Sequence, residues 1–445
     1  MSDALPLPPR PNTEQYKKLA KDFQQACKSS DASAIRDWAA RWAETIARLQ
    51  GLETTPEVRG QIDGYARAIE RRWRKFKETN ERAARCTLAD AQFFVARGHG
   101  FASWPKFVRH LEALARANSP VLTFEAAVDA IVSGDLGRLE KLLSENPKLA
   151  HARSTREHRS TLLHYVSANG VEDFRQKTPK NIVEITKLLL KAGADVNAES
   201  DAYGGGSTTL GLVATSIHPQ QAGVQIPLMQ FLLDHGARMD QPSAGGNGQS
   251  VVNGCLANGQ SEAAEFFASR GAPLDLEGAA ALGRLSVVKS FFDENGALKP
   301  HATKEQMESG FLYACGYSRK EVVEFLLEKG IDPGLRNSDG QTGLHWAAYG
   351  ADVDLVRLLL QRGSPADVRD DGFHATPLDL ALFVWANSPD MADRERCYEV
   401  VALLARAGAT LDQEWYEEDE DRRRAAEKMR SDPRMLAALR GEMPR

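Results

Sequence analysis

The sequence predicts an all-α fold: a solenoid of about eight helix pairs preceded by a small helical bundle. Three observations predict it. A doubled apolar ending followed by glycine recurs as LLLKAG, FLLDHG, FFASRG, FLLEKG, LLLQRG and LLARAG, with the glycines at 193, 236, 271, 330, 363 and 408. A short box, STLLHYV at 160–166, TGLHWAA at 342–348 and ATPLDLA at 375–381, precedes several of these endings. Residues 13–117 instead carry apolar residues at helical spacings of three and four with no such repeat.

Composition sets the frame. Of 445 residues, 42% are hydrophobic and 26% charged, which excludes general disorder. The net charge of -5 excludes a global field of the kind that marks nucleic-acid binders. Charge is unevenly spread: residues 1–118 hold 21 basic against 14 acidic side chains, a net of +7, and the remainder is acidic. Residues 1–12, with Pro6, Pro8, Pro9 and Pro11, are expected to be a disordered lead-in. No apolar run approaches the ~20 residues that span a bilayer, and no secretory signal is visible. Five cysteines (Cys27, Cys86, Cys255, Cys315 and Cys397) lie far apart with no metal-ligand spacing. A disulfide framework and a zinc module are therefore not expected, and a reducing, cytoplasmic setting fits.

Residues 13–118 read as the bundle. Ile35, Trp38, Ala39, Trp42 and Ile46 share one helix face, with Asp31 as N-cap and Gly51 as stop. Ile62, Tyr65, Ile69, Trp73 and Phe76 form a second stripe, opened near Pro56. Leu88, Ala91, Phe94 and Val95 form a third, and Phe107, His110, Leu111 and Leu114 a fourth. Within the second lies RRWRKFK (71–77), where cations alternate with Trp73 and Phe76. That pattern can pair phosphates with base stacking. Both rings fall on the apolar stripe, however, so the cations read as a solvated face.

Residues 119–412 read as the array. The glycines lie 33 to 59 residues apart, and the longest interval holds a further unit at 278–296. With an opening unit at 124–147 the count is eight, at a modal length of 33–35. Such a period means stacked units, none able to bury its apolar face alone. Each glycine ends a second helix, where a left-handed cap excludes a Cβ. Asn247-Gly248, Asp339-Gly340 and Asp371-Gly372 mark tight turns. Residues 413–445 read as an acidic segment, EWYEEDEDRRR, and one capping helix with Ala425, Met429, Met435, Leu436 and Leu439. The acidic run reads as a solvated cap, with docking of a basic partner, or of the protein's own basic bundle, as the alternative.

Residues 338–368 resemble an ankyrin repeat. Thr342, Leu344, His345, Ala347 and Ala348 stand where that family has its TPLHxAA box, and the resemblance covers about 121–412. Gly343 replaces the box proline, while Asp379 and Gly211 replace its histidine. Insertions at 171–181, 216–227 and 386–396 lie between the helices of their units and are expected to emerge as longer loops on one side. Residues 87–114 are similar to a helical element that precedes ankyrin arrays in bacterial proteins.

No HExxH, GxSxG or P-loop is present. GGGSTT at 204–209 lacks the lysine of a phosphate cradle. His99 reads as a structural histidine, and His164 and His345 as box residues that hold turns, as the resemblance implies. No catalytic, cofactor-binding or metal-ligating residue is assigned. The resemblance implies a non-catalytic interaction scaffold that binds a protein on the concave face of the solenoid, with no nucleic acid, no membrane and a monomeric state. The alternative is an enzyme or effector whose activity resides in the N-terminal helical region. The family's exposed, variable positions fall here on Ser338, Asp339, Gln341 and Tyr349, and in the next unit on Gly372, Phe373 and Ala375. Tyr349 and Phe373 are rings where packing does not demand them, expected on one concave side at roughly the ~10 Å spacing of packed helices.

Overall fold

The computed structural model describes residues 5–7, 11–29, 33–49, 55–79, 85–239, 250–411 and 420–443. Asp31, Gly51, the Asn247-Gly248 turn and most of the acidic run lie outside the described residues. The chain divides into two compact units, residues 1–267 and 268–445.

The first unit opens with helices α1 (Thr13–Lys28), α2 (Ala34–Leu49), α3 (Pro56–Thr79), α4 (Leu88–Gly98) and α5 (Trp104–Leu114). Aromatic residues at helical spacing meet at its centre, where Phe23 lies 4.5 Å from Trp38, 4.9 Å from Trp73 and 4.9 Å from Phe94 between ring centroids. Edge and offset ring contacts of this kind add to plain area burial. Trp73 is buried, so it offers no face for a base to stack on. The second stripe is shifted from the expected one: Ile62, Ala66, Ile69 and Trp73 are buried while Tyr65 is exposed. Ala66, at the helical spacing from Ile62 and Ile69, takes the buried place that Tyr65 was expected to fill.

Two expectations are corrected here. Leu5, in the lead-in, is buried with the bundle core, its N–H donating to the Gly98 carbonyl at 2.8 Å. Cys27 and Cys86 form a disulfide across a sequence separation of 59, with Cα atoms 6.3 Å apart. Packing of α1 against α4 brings them together, which linear spacing does not reveal. Cysteine spacing therefore lends no weight to a reducing compartment.

The repeats follow as eight pairs among the described residues. Unit one holds α6 (Pro120–Ser133) with α7 (Leu136–Glu145), then a 3-10 helix (Leu162–Ser167) with α8 (Ile182–Lys191). Next are α9 (Thr209–Ala214) and α11 (Gln225–Asp234), with the short α10 (Ile217–Gln221) between them, then α12 (Val251–Ala257) and α13 (Ser261–Ser269). The second unit holds α14 (Leu276–Ala281) with α15 (Leu285–Ser290), α16 (Lys304–Gly316) with α17 (Lys320–Glu328), α18 (Gly343–Tyr349) with α19 (Val353–Gln361), and α20 (Pro377–Asn387) with α21 (Met391–Arg406). In the second unit the first helices α14, α16, α18 and α20 pack in series, and so do the second helices. The only strands among the described residues are the two-residue pair Glu199–Ser200 (β1) and Ser207–Thr208 (β2). The helix-ending glycines take left-handed φ throughout, from 85 at Gly271 to 94 at Gly193 and Gly408.

The insertions do not simply emerge. In the first, Val171, Glu172 and Arg175 are buried. The second folds in part into α10, and the third is absorbed largely into α21, which runs to 16 residues. The C-terminal helix is two helices, α22 (Glu420–Arg430) and α23 (Pro433–Leu439). Pro433 cannot continue the first, and Asp432 caps the second by accepting from the Arg434 and Met435 amides. Met429 and Met435 are buried, and α23 packs on α21.

Bundle and first repeat are joined inside the first unit. The Glu157 amide donates to the Gly100 carbonyl at 2.9 Å, Arg97 pairs with Glu157, and His110 Nδ1 meets Thr155 Oγ1 at 2.7 Å. On these contacts we propose that the bundle caps the array. Residues 121–445 expressed alone are expected to melt lower than the full chain, or to aggregate. Equal melting of the two proteins would refute the cap.

Candidate functional site

The expected interaction residues lie on two successive turns and on helix α18. In the first turn Asn337 Oδ1 accepts from the amides of Asp339 at 3.0 Å and Gln341 at 2.8 Å. Gly340, at φ 75, lets the chain reverse. A Cβ there would collide with the Arg336 guanidinium and the Asp371 carboxylate, so glycine is required. Ser338 and Asp339 are thereby held exposed at the tip.

The next turn is fastened to this one. The Asp371 amide donates to the Asp339 carbonyl at 2.8 Å, and Arg336 Nη2 donates to the Arg369 carbonyl at 2.9 Å and reaches Asp371 Oδ1 at 3.2 Å. Gln341 is half-buried with its amide near Asp370, so it belongs to the fastening more than to the open surface. Asp370 Oδ1 accepts from the Phe373 amide at 2.6 Å, which sets Phe373 at the tip of the second turn. Ala375, expected beside it on the surface, is fully buried and belongs to the core.

The box histidines act as the resemblance implies. The Thr342 amide donates to His345 Nδ1 at 3.0 Å, and His345 Nε2 lies 3.2 Å from the Ala375 carbonyl of the next unit. An Nδ1 that accepts leaves the proton on Nε2, which then donates across the units. Burial lowers the pKa of His345, so the neutral ring this geometry needs is the favoured one. His164 repeats the arrangement with Thr161 and the Ser207 carbonyl at 3.1 Å, its pKa lowered to about 4 chiefly by burial. Where aspartate replaces histidine, Asp379 Oδ2 accepts from the Thr376 amide at 2.8 Å and keeps the cap.

Tyr349 is 50% exposed and Phe373 66% exposed, so neither ring is core. Sequence reasoning missed the ring that accompanies them. Phe383 is 44% exposed on α20, seven residues after the capping Thr376, just as Tyr349 follows Thr342 by seven. Trp346, one turn earlier on α18, is also partly exposed, and its indole lies over Gly316, where a Cβ would stand 3.7 Å from the ring. Tyr313 and Tyr317 on α16 stack with centroids 6.4 Å apart. Counting from each capping threonine would have found Phe383 and Trp346. Beside Tyr313, burial and then the charge of Asp275 push the Glu277 carboxyl up to about 7.

Cys255, Cys315 and Cys397 are buried, and burial pushes the Cys255 and Cys397 thiols up to about 12. Among the described residues no group of three His, Cys, Asp or Glu side chains could hold a metal ion. His99 is buried, with Nδ1 2.9 Å from the Leu5 carbonyl, and burial lowers its pKa to about 3. No described helix is long and apolar enough to cross a membrane.

The family model for ankyrin repeats matches residues 276–370 and 311–414. Residues 276–414 are ankyrin repeats. It is similar to an ankyrin repeat protein of Rickettsia felis, at 40% identity over 55 residues, which is 12% of this chain and 21% of that one. It is also similar to the E3 ubiquitin-protein ligase KEG of Arabidopsis thaliana, at 42% identity over 71 residues, 16% of this chain and 4% of KEG. Among solved structures, the human ASB11 ankyrin repeat domain is 20% identical with a TM-score of 0.30, covering 64% of this chain and 99% of that domain. The chain spans between 4% and 40% of the length of the curated relatives it matches. Ankyrin repeats are protein–protein interaction modules, and this chain carries one.

Proposed function

We propose that the protein is a non-catalytic scaffold that binds a protein partner on the concave face of its ankyrin repeats, through α16, α18, α20 and the turns at 336–342 and 369–375. The observation that carries this reading is the exposure of Tyr349 and Phe383 at equivalent positions of successive repeats, beside Phe373 on a turn fastened by hydrogen bonds. Large rings on a rigid frame bind at low entropic cost, and such residues dominate interface energetics. Ser338 and Asp339 supply polar contacts at the rim.

The alternative, an enzyme or effector activity in the N-terminal bundle, finds less support. Its aromatics are spent in the core, and its His99 is buried. For the same reason the buried Trp73 argues against stacking on nucleic acid. We take the protein to act as a monomer in the cytoplasm. Affinity capture from cells of origin, performed in parallel with the full chain and its Tyr349→Ala/Phe373→Ala variant, tests the reading. A partner retained by the first and lost by the second supports it, and equal recovery by both sinks the assigned face.

A further inference from the structure

We propose that the cleft between α5 and the loop at 155–159 of the first unit binds a phosphate group, as inorganic phosphate or a phosphate monoester. The site is separate from the ankyrin face and does not depend on that reading. Its volume is about 550 Å³, and Lys106, Arg109, His110, Thr155, Arg156 and Arg159 form most of its wall.

The charges of the wall do not balance. Two acids also line it, Glu157 and Asp201. Glu157 is taken by Arg97, and Asp201 lies 3.7 Å from Arg159. Arg156 is neutralised from behind by Glu125 and Glu172, each 2.8 Å away. Lys106 and Arg109 are exposed and have no carboxylate partner among the described residues. Two uncompensated cations over one cleft match the charge of a phosphate dianion. Lysine meets it as a point charge and arginine as a two-pronged donor.

The deep wall supplies a second, independent observation. His110 and Arg156 are 2% and 3% exposed, and His110 Nε2 and Arg156 Nε are buried polar atoms without a partner. Unsatisfied buried groups are costly, and both atoms are closed to solvent, so a phosphate recovers that cost only where the wall shifts to meet it. Burial, and then the neighbouring Arg156 charge, hold the His110 pKa down to about 4, so the ring is neutral near pH 7. His110 Nδ1 lies 2.7 Å from Thr155 Oγ1, and in the tautomer in which that hydroxyl donates, Nε2 carries the proton and is a donor that lacks an acceptor. The wall is also stiff. Phe101 lies 4.8 Å from the His110 ring, and the Arg156 guanidinium sits 5.5 Å over Phe101. The volume exceeds that of a lone phosphate and leaves room for the organic part of an ester.

The test titrates the full chain with inorganic phosphate, O-phosphoserine and acetate against chloride at matched ionic strength, reading melting temperature and calorimetric heat. Saturable stabilisation by phosphate or phosphoserine is expected, and none by acetate. Tighter binding of phosphoserine identifies an ester as the ligand, and tighter binding of inorganic phosphate identifies the free ion. Lys106→Ala/Arg109→Ala should weaken the dissociation constant at least tenfold while leaving the melting temperature of the free protein unchanged, because both side chains are exposed. Stabilisation no greater than with chloride, equal binding by the double variant, or tighter binding of acetate overturns the proposal.

Discussion

Arg156→Met is expected to destabilise the first unit by about 3–5 kcal/mol, the cost of breaking a buried ion pair from one side. Arg156 Nη1 donates to Glu125 Oε1 at 2.8 Å and lies 2.8 Å from Glu172 Oε1. Arg175 completes the cluster, with Nη1 2.6 Å from Glu125 Oε2 and Nη2 2.8 Å from Asp129 Oδ1. The Tyr165 hydroxyl donates to Glu172 at 3.3 Å. Methionine fills the same space but leaves two buried carboxylates facing one guanidinium. Urea denaturation followed by circular dichroism measures the change. A loss under about 1 kcal/mol, the range of exposed pairs, would mean that water reaches the cluster and that its burial is overstated.

The same cluster makes stability depend on pH in a definite direction. Burial alone would raise the Glu125 pKa, but Arg156 and Arg175 outweigh it and hold the carboxyl at about 2. In the unfolded chain a glutamate titrates near ~4.3. The folded state therefore binds fewer protons between these values. The stabilisation is full above about pH 4.3 and is lost as pH falls towards 2. Glu172 is lowered as well, and its contribution has the same sign. In Arg156→Met this acid-side slope should shrink, because the cation that depresses both carboxyls is gone.

None of that cluster was legible in the sequence. Arg156 and His158 stand in STREHRS, which carries no recognisable motif, and Glu172 and Arg175 in an insertion expected to emerge as a longer loop. Burial follows because the insertion folds back over α6, where Glu125 and Asp129 meet Arg175, a contact set only by tertiary packing. Local signals fared differently. The helix-ending glycines and the Thr–His boxes were readable because each meets a requirement within a few residues, a left-handed φ or a capped first turn. Cys27 and Cys86 fall on the unreadable side for the same reason as the charges. Their pairing depends on how α1 and the loop before α4 meet. The proposed interaction face lies between these cases. Tyr349 follows from the box, whereas Gln341 and Ala375 were misplaced because the stitching of adjacent turns buries what one repeat alone would expose.

Tyr349→Ala/Phe373→Ala is expected to weaken a bound protein partner by about 1–4 kcal/mol, a five- to several-hundred-fold rise in dissociation constant. Folding should be nearly untouched. Both rings are at least half exposed, and exposed substitutions away from caps and cores stay within about 0.5 kcal/mol. Phe373 is placed through its backbone, whose amide is held by Asp370, so truncating its side chain leaves the turn fastened. Leu344→Ala provides the contrast. That side chain is fully buried in the repeat core, and its loss should cost about 2–5 kcal/mol of stability. Melting of the two variants beside binding by calorimetry separates the roles. If the ring variant unfolds as Leu344→Ala does, the rings are structural and the face lies elsewhere. If it melts as the parent does and binds less, Tyr349 and Phe373 are anchors. Adding Phe383→Ala should then deepen the loss by more than a lone rim residue would, because Phe383 repeats the Tyr349 position on the next helix.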